Sequence, residues 1–507
     1  MEQDENIFNG QKEFFKNRRV LLIVPHQDDE INIAGGLLYW LFHNGIETKI
    51  LYTTNGNYRN KGNVRIGEAI NSIRTLGGKE TDVYCLGYSD QATKGDMHLY
   101  MSDCNWRDRH GRDMTYAGID EYCFRRYGIH HQQCKKNFIE DIKSFILWYI
   151  PDVIFCVDFD SHADHRGTSL AFEHAMGEIL RENKVYRPIV LKTFAYPLAY
   201  KGKRDFYFGY LKSTAYNPEE KVDYGLQNPY YKWEERVRFA IPAECRQMCV
   251  SKNVIYKALK CHRSQNISER ADRIINSDQV AWIRRTDNLL YNAKIKCSSG
   301  NSTYLNDFLI FDCSNIMNGK MDRFVFDGGI WTPDRQDKEP TIVIEFEEKK
   351  SFNRIRLYRN ICEFDGIKLI EIKFDNEYSS EFEDKTSDPI WDIILKGICV
   401  KKIEIKIRGK VGDKVGFTEI EIFNDTDAPI VWELPLLNGD LVYEETLNVN
   451  GKYKFNGKRG FETRVGKTDL AELKMPKKIY IYDRCIFMID KIYHSVRRKI
   501  QKIFGKY

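Results

Sequence analysis

No apolar run in this chain is long enough to cross a bilayer. The longest, Ile33 to Phe42, falls far short of the roughly 18 residues a spanning helix needs. The opening MEQDENIFNGQKEFFKNRRV begins with acids and holds no apolar core, so no secretory signal is expected. The 13 Cys are odd in number and scattered without a CxxC pair, which reads as reduced thiols in a cytoplasmic protein. There is no G-x-G-x-x-G, which removes the dinucleotide fingerprint, and no internal repeat or low-complexity tract. Charge of one sign is scarce as well. The 78 basic against 73 acidic side chains net +5, too little to mark a nucleic-acid face, so no nucleic-acid partner is expected.

What is present can bury cores. Hydrophobic residues make up 42% and charged residues 30%, ordinary globular values. At about 150 residues per domain, 507 residues make three to four units. In the first part, Arg19 to Val24 (RVLLIV) is a continuous apolar run, as in a parallel strand buried on both faces. Further strand patterns at 48–53, 82–86, 152–157 and 188–195 alternate with helical patterns at 30–44, 64–77 and 136–150, and from 166. Such alternation predicts a doubly wound α/β sheet, whose functional loops lie at the carboxyl ends of the strands. Residues 217–293 read as mostly helical. Beyond Cys297, segments such as PTIVIEF, FNRIRLY, KLIEIKF, VKKIEIKI and FTEIEIF predict a β-sandwich. Asp440 to Phe461 reads as one or two hairpins. From Ile486 an apolar stripe at spacings of three and four predicts a helix, with seven Lys or Arg and one Asp between Arg484 and Tyr507.

Two strand ends carry the chemistry. VPHQDDE, Val24 to Glu30, sets His26 beside the adjacent carboxylates of Asp28 and Asp29. Desolvating that group makes sense if a cation compensates it, although a solvated helix cap explains the acids too. A second cluster, VDFDSHADHRG, puts His162, Asp164 and His165 after a later strand. A sheet that brings strand ends together makes the two a three-ligand N/O site with an open position, the arrangement of catalytic zinc. The stretch from Met97 to Cys134 (with His110, Cys123, His130, His131 and Cys134) matches no zinc module, and reads as an insertion over the strand ends.

These motifs resemble the PIG-L/LmbE-like metal-dependent N-deacetylases. That family carries a (P/A)HPDDE loop, an RxxE helix and an HxDH cluster; here they are PHQDDE (Pro25 to Glu30), RIGE (Arg65 to Glu68) and HADH (His162 to His165). LGYSDQ (Leu86 to Gln91), ALKCHRSQ (Ala258 to Gln265) and WIRRTDNL (Trp282 to Leu289) add to the likeness, which runs from about Arg18 to Ala293. The resemblance implies a Rossmann-like catalytic domain with one Zn²⁺ on His26, Asp29 and His165. It implies Asp28 as general base, His162 as acid or oxyanion partner, Arg65, Glu68 and Asp90 as holders of substrate hydroxyls, and His262 closing the pocket. Gln27 and Ser89 stand where the family has Pro. Asp160 stands where some relatives have a Tyr oxyanion donor.

The β-rich part is similar to discoidin-type galactose-binding sandwiches, which implies either glycan binding, with Trp331 and Arg335 on a loop as first contacts, or a structural appendage. The C-terminal helix has two readings: peripheral contact with an anionic membrane through Arg484 to Tyr507, or docking on its own protein with the basic face in water. The expected plan is an extension (1–17), a deacetylase domain (18–295), a sandwich (300–425) and a hairpin-and-helix region (426–507). The expected activity is removal of the N-acetyl group from an N-acetylglucosamine-type sugar in a glycolipid or cell-surface glycan precursor, at the inner membrane surface or in the cytoplasm. The alternatives are another small glycoconjugate, such as a thiol or antibiotic intermediate, or a non-catalytic glycan-binding protein.

Overall fold

The computed structural model describes residues 2–58, 62–90, 100, 107–116, 121–158, 160, 162–195, 230–231, 235–242, 244–245, 250–275, 278–310, 314–317, 320–323, 329–359, 366–375, 377–386, 388–411, 415–425, 454–455, 460–462, 467–469, 473–474 and 477–503. The all-apolar strand β1 (Val20–Val24) is buried at every position and lies mid-sheet. It pairs in parallel with β2 (Thr48–Thr54) on one side and β4 (Val153–Val157) on the other. β3 (Val83–Tyr88) extends the sheet beyond β2, and β5 (Ile189–Thr193) beyond β4, both parallel. Helices α2 (Asp29–His43), α3 (Gly62–Thr75), α4 (Lys135–Tyr149) and α5 (Ala163–Glu182) connect these strands. The doubly wound core is therefore as expected, to within a residue or two at most ends.

Two strands lie in the region read as helical. β6 (Arg236–Ala240) and β7 (Asp278–Arg284) pair antiparallel, and β7 pairs antiparallel with β5, giving the order β3-β2-β1-β4-β5-β7-β6. Each is short and carries charged residues, so its apolar alternation is faint in sequence. A short helix, α6 (Val254–Leu259), lies between them. The N-terminal segment is a helix, α1 (Glu2–Phe15), fixed to β6 by two bonds. Gln11 Nε2 donates to the Ala240 carbonyl at 3.1 Å, and the Ala240 N–H donates to Gln11 Oε1 at 2.8 Å.

The second sheet is antiparallel, in the order β13-β12-β14-β11-β15 with β8 (Ala293–Cys297) beside β11. A hairpin of β9 (Ser314–Met317) and β10 (Lys320–Arg323) precedes it. PTIVIEF and FNRIRLY, read as two strands, form one bent strand, β11 (Thr341–Arg359), whose pairing shifts between Glu345 and Lys350. The exposed Glu347, Glu348 and Lys349 imitate a turn in sequence, but here they mark a bulge. β12 (Gly366–Phe374), β13 (Tyr378–Glu383), β14 (Ile390–Val411) and β15 (Phe417–Phe423) complete a sandwich-like fold around Ile344, Phe352, Ile403 and Ile420. It is fastened to the first sheet by a buried ion pair, Arg284 Nη1 to Glu421 Oε1 at 2.8 Å.

Most of the stretch expected to form C-terminal hairpins, up to residue 453, lies outside the described residues. Two small antiparallel pairings follow it, 454–455 with 473–474 and 460–462 with 467–469. The chain ends in helix α7 (Lys477–Ile503). It does dock on its own protein, but through its polar side rather than its apolar stripe. The inward residues are Asp483, Phe487, Asp490 and His494.

Candidate active site

The strand order reverses between β1 and β4, so the chain diverges there and leaves a crevice at their carboxyl ends. The loop after β1 and the first residue of α2 bring His26, Asp28 and Asp29 to it, and the loop after β4 and the first turn of α5 bring Asp160, His162, Asp164 and His165. Asp29 is the hub. Its Oδ2 lies 3.0 Å from His26 Nδ1 and 3.1 Å from His165 Nε2. His26, His162 and His165 each offer a ring nitrogen within 4.8 Å of the others. Burial alone would raise the Asp29 carboxyl, but His165 and His26 hold it well below the usual carboxylate range. Imidazole nitrogens converging on a carboxylate oxygen are the donor set of a zinc-type cation, so these residues fit one.

Two more carboxylates orient the imidazoles. Asp160 Oδ2 lies 2.7 Å from His165 Nδ1, and Asp164 Oδ2 lies 3.0 Å from His26 Nε2. Each fixes the ring through the nitrogen facing away from Asp29, as carboxylates behind metal-ligating histidines do. Asp160 was seen in sequence only as the absence of a Tyr. Its position two before His162 also lets Oδ1 accept the His162 N–H at 2.8 Å, which shapes the entry to α5.

Asp28 stands at φ 150° and ψ −19°, a conformation that side chains other than glycine rarely adopt. Its carboxylate has a different partner from that of Asp29: Asp28 Oδ1 lies 3.5 Å from Arg65 Nη2. Burial first, then the charge of Asp29, push the Asp28 carboxyl up to about 6, against the pull of Arg65, His262 and His26. His162 is the most open of the three imidazoles, at 24% side-chain exposure against 7% for His26 and 0% for His165. Its Nδ1 accepts the Asp164 N–H at 3.2 Å, which leaves Nε2 to carry the proton. Burial, followed by His26 and His165, lowers its pKa to about 4, so the ring is neutral near pH 7.

Residues expected to hold substrate are also gathered here, but several are already engaged. Arg65 donates to the Gly56 carbonyl (3.2 Å), the Gln27 carbonyl (3.2 Å), Asp90 Oδ2 (3.0 Å) and Gln265 Oε1 (2.6 Å). It clamps the loops after β1, β2 and β3 together. Glu68 accepts from the Ser264 N–H and hydroxyl at 2.7 and 2.6 Å, and His262 Nε2 lies 2.9 Å from Glu30 Oε1 with its side chain fully buried. Asp90, 3.5 Å from His26 Nε2, is the carboxylate of this group nearest the imidazoles.

Two readings change. Trp331 is no exposed loop contact. It is fully buried, donates from Nε1 to the Ser299 carbonyl at 2.9 Å, and stacks on Phe417 at 5.9 Å. Arg335 is exposed. In the insertion, Cys123 and His131 meet Asp141 of α4, one ligand-type atom from each lying within 4.8 Å of the others. Spacing could not reveal that trio, because Asp141 lies on the following helix and is already held by His131 (2.7 Å) and Tyr88 (2.6 Å).

Comparison with curated proteins finds no match to the chain. Among solved structures it is similar to chitosan-binding module 1 of a chitosanase/glucanase from Paenibacillus sp., at 16% identity, 27% of this chain, 98% of that one and a TM-score of 0.20. A family 32 carbohydrate-binding module from C. perfringens, in complex with galactose, shares 12% identity over 26% of this chain and 93% of its own, with a TM-score of 0.21. The lectin domain of lectinolysin, complexed with Lewis B antigen, shares 12% over 28% and 98%, with a TM-score of 0.22. Residues 21–176 match the model of a family described as PIG-L, GlcNAc-PI de-N-acetylase. That span, which is similar to the PIG-L family, holds His26, Asp28, Asp29, Arg65, Asp90, Asp160, His162 and His165.

Proposed function

We propose that this protein is a zinc-dependent hydrolase that removes the N-acetyl group from an N-acetylglucosamine-type sugar in a glycolipid or cell-surface glycan precursor. The observation that carries the reading is the position of Asp29 Oδ2, within 3.1 Å of both His26 Nδ1 and His165 Nε2, with Asp28 beside it. His26, Asp29 and His165 would hold the cation. When bound, such a cation polarises the acetyl carbonyl and lowers the pKa of water to about 7.

The chain's own residues supply the proton chemistry. Asp28, ionised above about pH 6, takes a proton from the attacking water as the new C–O bond forms. The proton is then returned to the sugar nitrogen as the C–N bond breaks, giving acetate and a free amine. The neutral His162, with its proton on Nε2, is suited to donate a hydrogen bond to the oxyanion of the tetrahedral intermediate. Arg65 keeps the three loops in register and holds Asp90 in place beside the imidazoles. The test is acetate release from a panel of N-acetylglucosamine conjugates by zinc-loaded protein, with Asp28→Asn as control. Release that disappears in the variant supports the reading. Equal release by both, or none from any conjugate, contradicts it.

A further inference from the structure

Lys192 on β5 is fully buried, and no step of the hydrolysis uses it. Its Nζ donates to Ser169 Oγ at 2.7 Å and to Glu173 Oε1 at 2.9 Å, and lies 3.6 Å from Asp158 Oδ1. Ser169 extends the link, its hydroxyl donating to Asp158 Oδ1 at 2.9 Å. Asp158 is also fixed to β5 by its N–H, which donates to the Thr193 carbonyl at 2.7 Å. One ammonium thus joins three elements: β5, the first residue beyond β4, and α5.

The groups it grips are those that build the crevice. Asp158 precedes Asp160 by two residues. Ser169 and Glu173 follow His165 by four and eight, so the three lie along one side of α5. His165 stands between Asp160 and Asp29, at 2.7 Å and 3.1 Å. A small slide or rotation of α5 against β5 would therefore carry His165 off Asp29. Stability is a poor reason for such a cluster. Taking an ammonium and two carboxylates out of water is costly, and apolar side chains of the same volume often serve a fold as well. Charged hydrogen bonds add what apolar contacts lack, a fixed direction.

We propose that Lys192 is a positioning residue for the zinc ligands: it locks α5 and the residue after β4 onto β5, which sets His165 and Asp160 against Asp29. This rests on the reading of His26, Asp29 and His165 as the metal ligands. The sign of the effect separates position from electric field. Without the ammonium, Asp158 and Glu173 are less compensated, and by charge alone they would draw a cation into the crevice more strongly. Lost alignment weakens cation binding instead. A second tether of α5, the hydroxyl bond between Thr53 and Thr168 at 2.9 Å, remains when Lys192 is changed.

The test measures zinc affinity in the full chain by chelator competition, with the visible spectrum of the cobalt-loaded protein as a report on ligand geometry. Lys192→Met removes the cation. Lys192→Met combined with Glu173→Gln removes one charge of each sign, so the net charge of the cluster is unchanged. Ser169→Ala keeps every charge and removes only the hydroxyl link, which serves if the other variants fail to fold. All three are expected to bind zinc more weakly with a shifted cobalt spectrum, the two Lys192 variants by at least about tenfold, as when an outer partner of a metal ligand is lost. Trp331→Ala, a core change in the second sheet, is the control: it should melt earlier with zinc affinity unchanged. Unchanged or tighter zinc binding in the folded variants overturns the proposal and leaves the metal reading in place. So does an equal loss in Trp331→Ala, because instability would then explain it. A parent chain that takes up no zinc overturns both.

Discussion

Asp160 Oδ2 lies 2.7 Å from His165 Nδ1, so the imidazole whose Nε2 faces Asp29 is held from behind by a carboxylate. Removing such a partner typically costs about 10–100-fold in metal affinity or activity. Asp160→Ala is therefore expected to weaken zinc binding by that order, measured by competition with a chelator, with Asp160→Asn in between. Zinc affinity unchanged in Asp160→Ala would show that the pairing does not serve the site.

Asp28 must be ionised to accept a proton, and burial beside Asp29 raises its carboxyl to about 6. A cation on the neighbouring ligands would pull that value down, so the acid limb of the kcat profile should lie at or below about pH 6. Turnover is full above the limb and is lost as pH falls through it. An acid limb well above neutrality contradicts the assignment of Asp28 as base.

The sequence discloses the site better than it discloses the molecule around it. VLLIV and VIFCV are apolar throughout because both sheet faces are covered, and the residues that follow them had to reach the crevice. His26, Asp29, His162 and His165 could be read on that basis. Arg65 was seen as a substrate contact, since sequence does not show that the Gly56 and Gln27 carbonyls lie within its reach. The apolar stripe of α7 was legible from spacing. Which face docks was not, because Asp483, Asp490 and His494 find their partners more than 200 residues away.

Trp331 is a core residue of the second sheet, stacked on Phe417 and bonded to Ser299. Trp331→Ala is expected to destabilise that sheet by about 3–5 kcal/mol, the usual cost of emptying a buried aromatic site. Denaturant unfolding followed by fluorescence checks it. A loss under 1 kcal/mol would place the ring at the surface.

Gly177 on α5 approaches the second unit so closely that a Cβ there would lie 1.9 Å from the Asp307 carbonyl oxygen. Backbone cannot give way as a side-chain tip can, so Gly177→Ala should cost about 1–3 kcal/mol or more. Gly67, in the interior of α3, has nothing within 4 Å of such a Cβ. There the same change should stabilise by up to about 1 kcal/mol through helix propensity. Opposite shifts in the unfolding midpoint are expected, and shifts of equal sign would refute the contrast.

The division of labour between Asp28 and Asp29 is tested most directly by measuring zinc content and acetate release together in Asp28→Asn and Asp29→Ala. Asp28→Asn should keep one zinc per chain and lose turnover by about 10²–10⁴-fold, as removal of a general base does. Asp29→Ala should lose the zinc. Equal loss of metal in both variants, or full turnover in Asp28→Asn, would contradict the account.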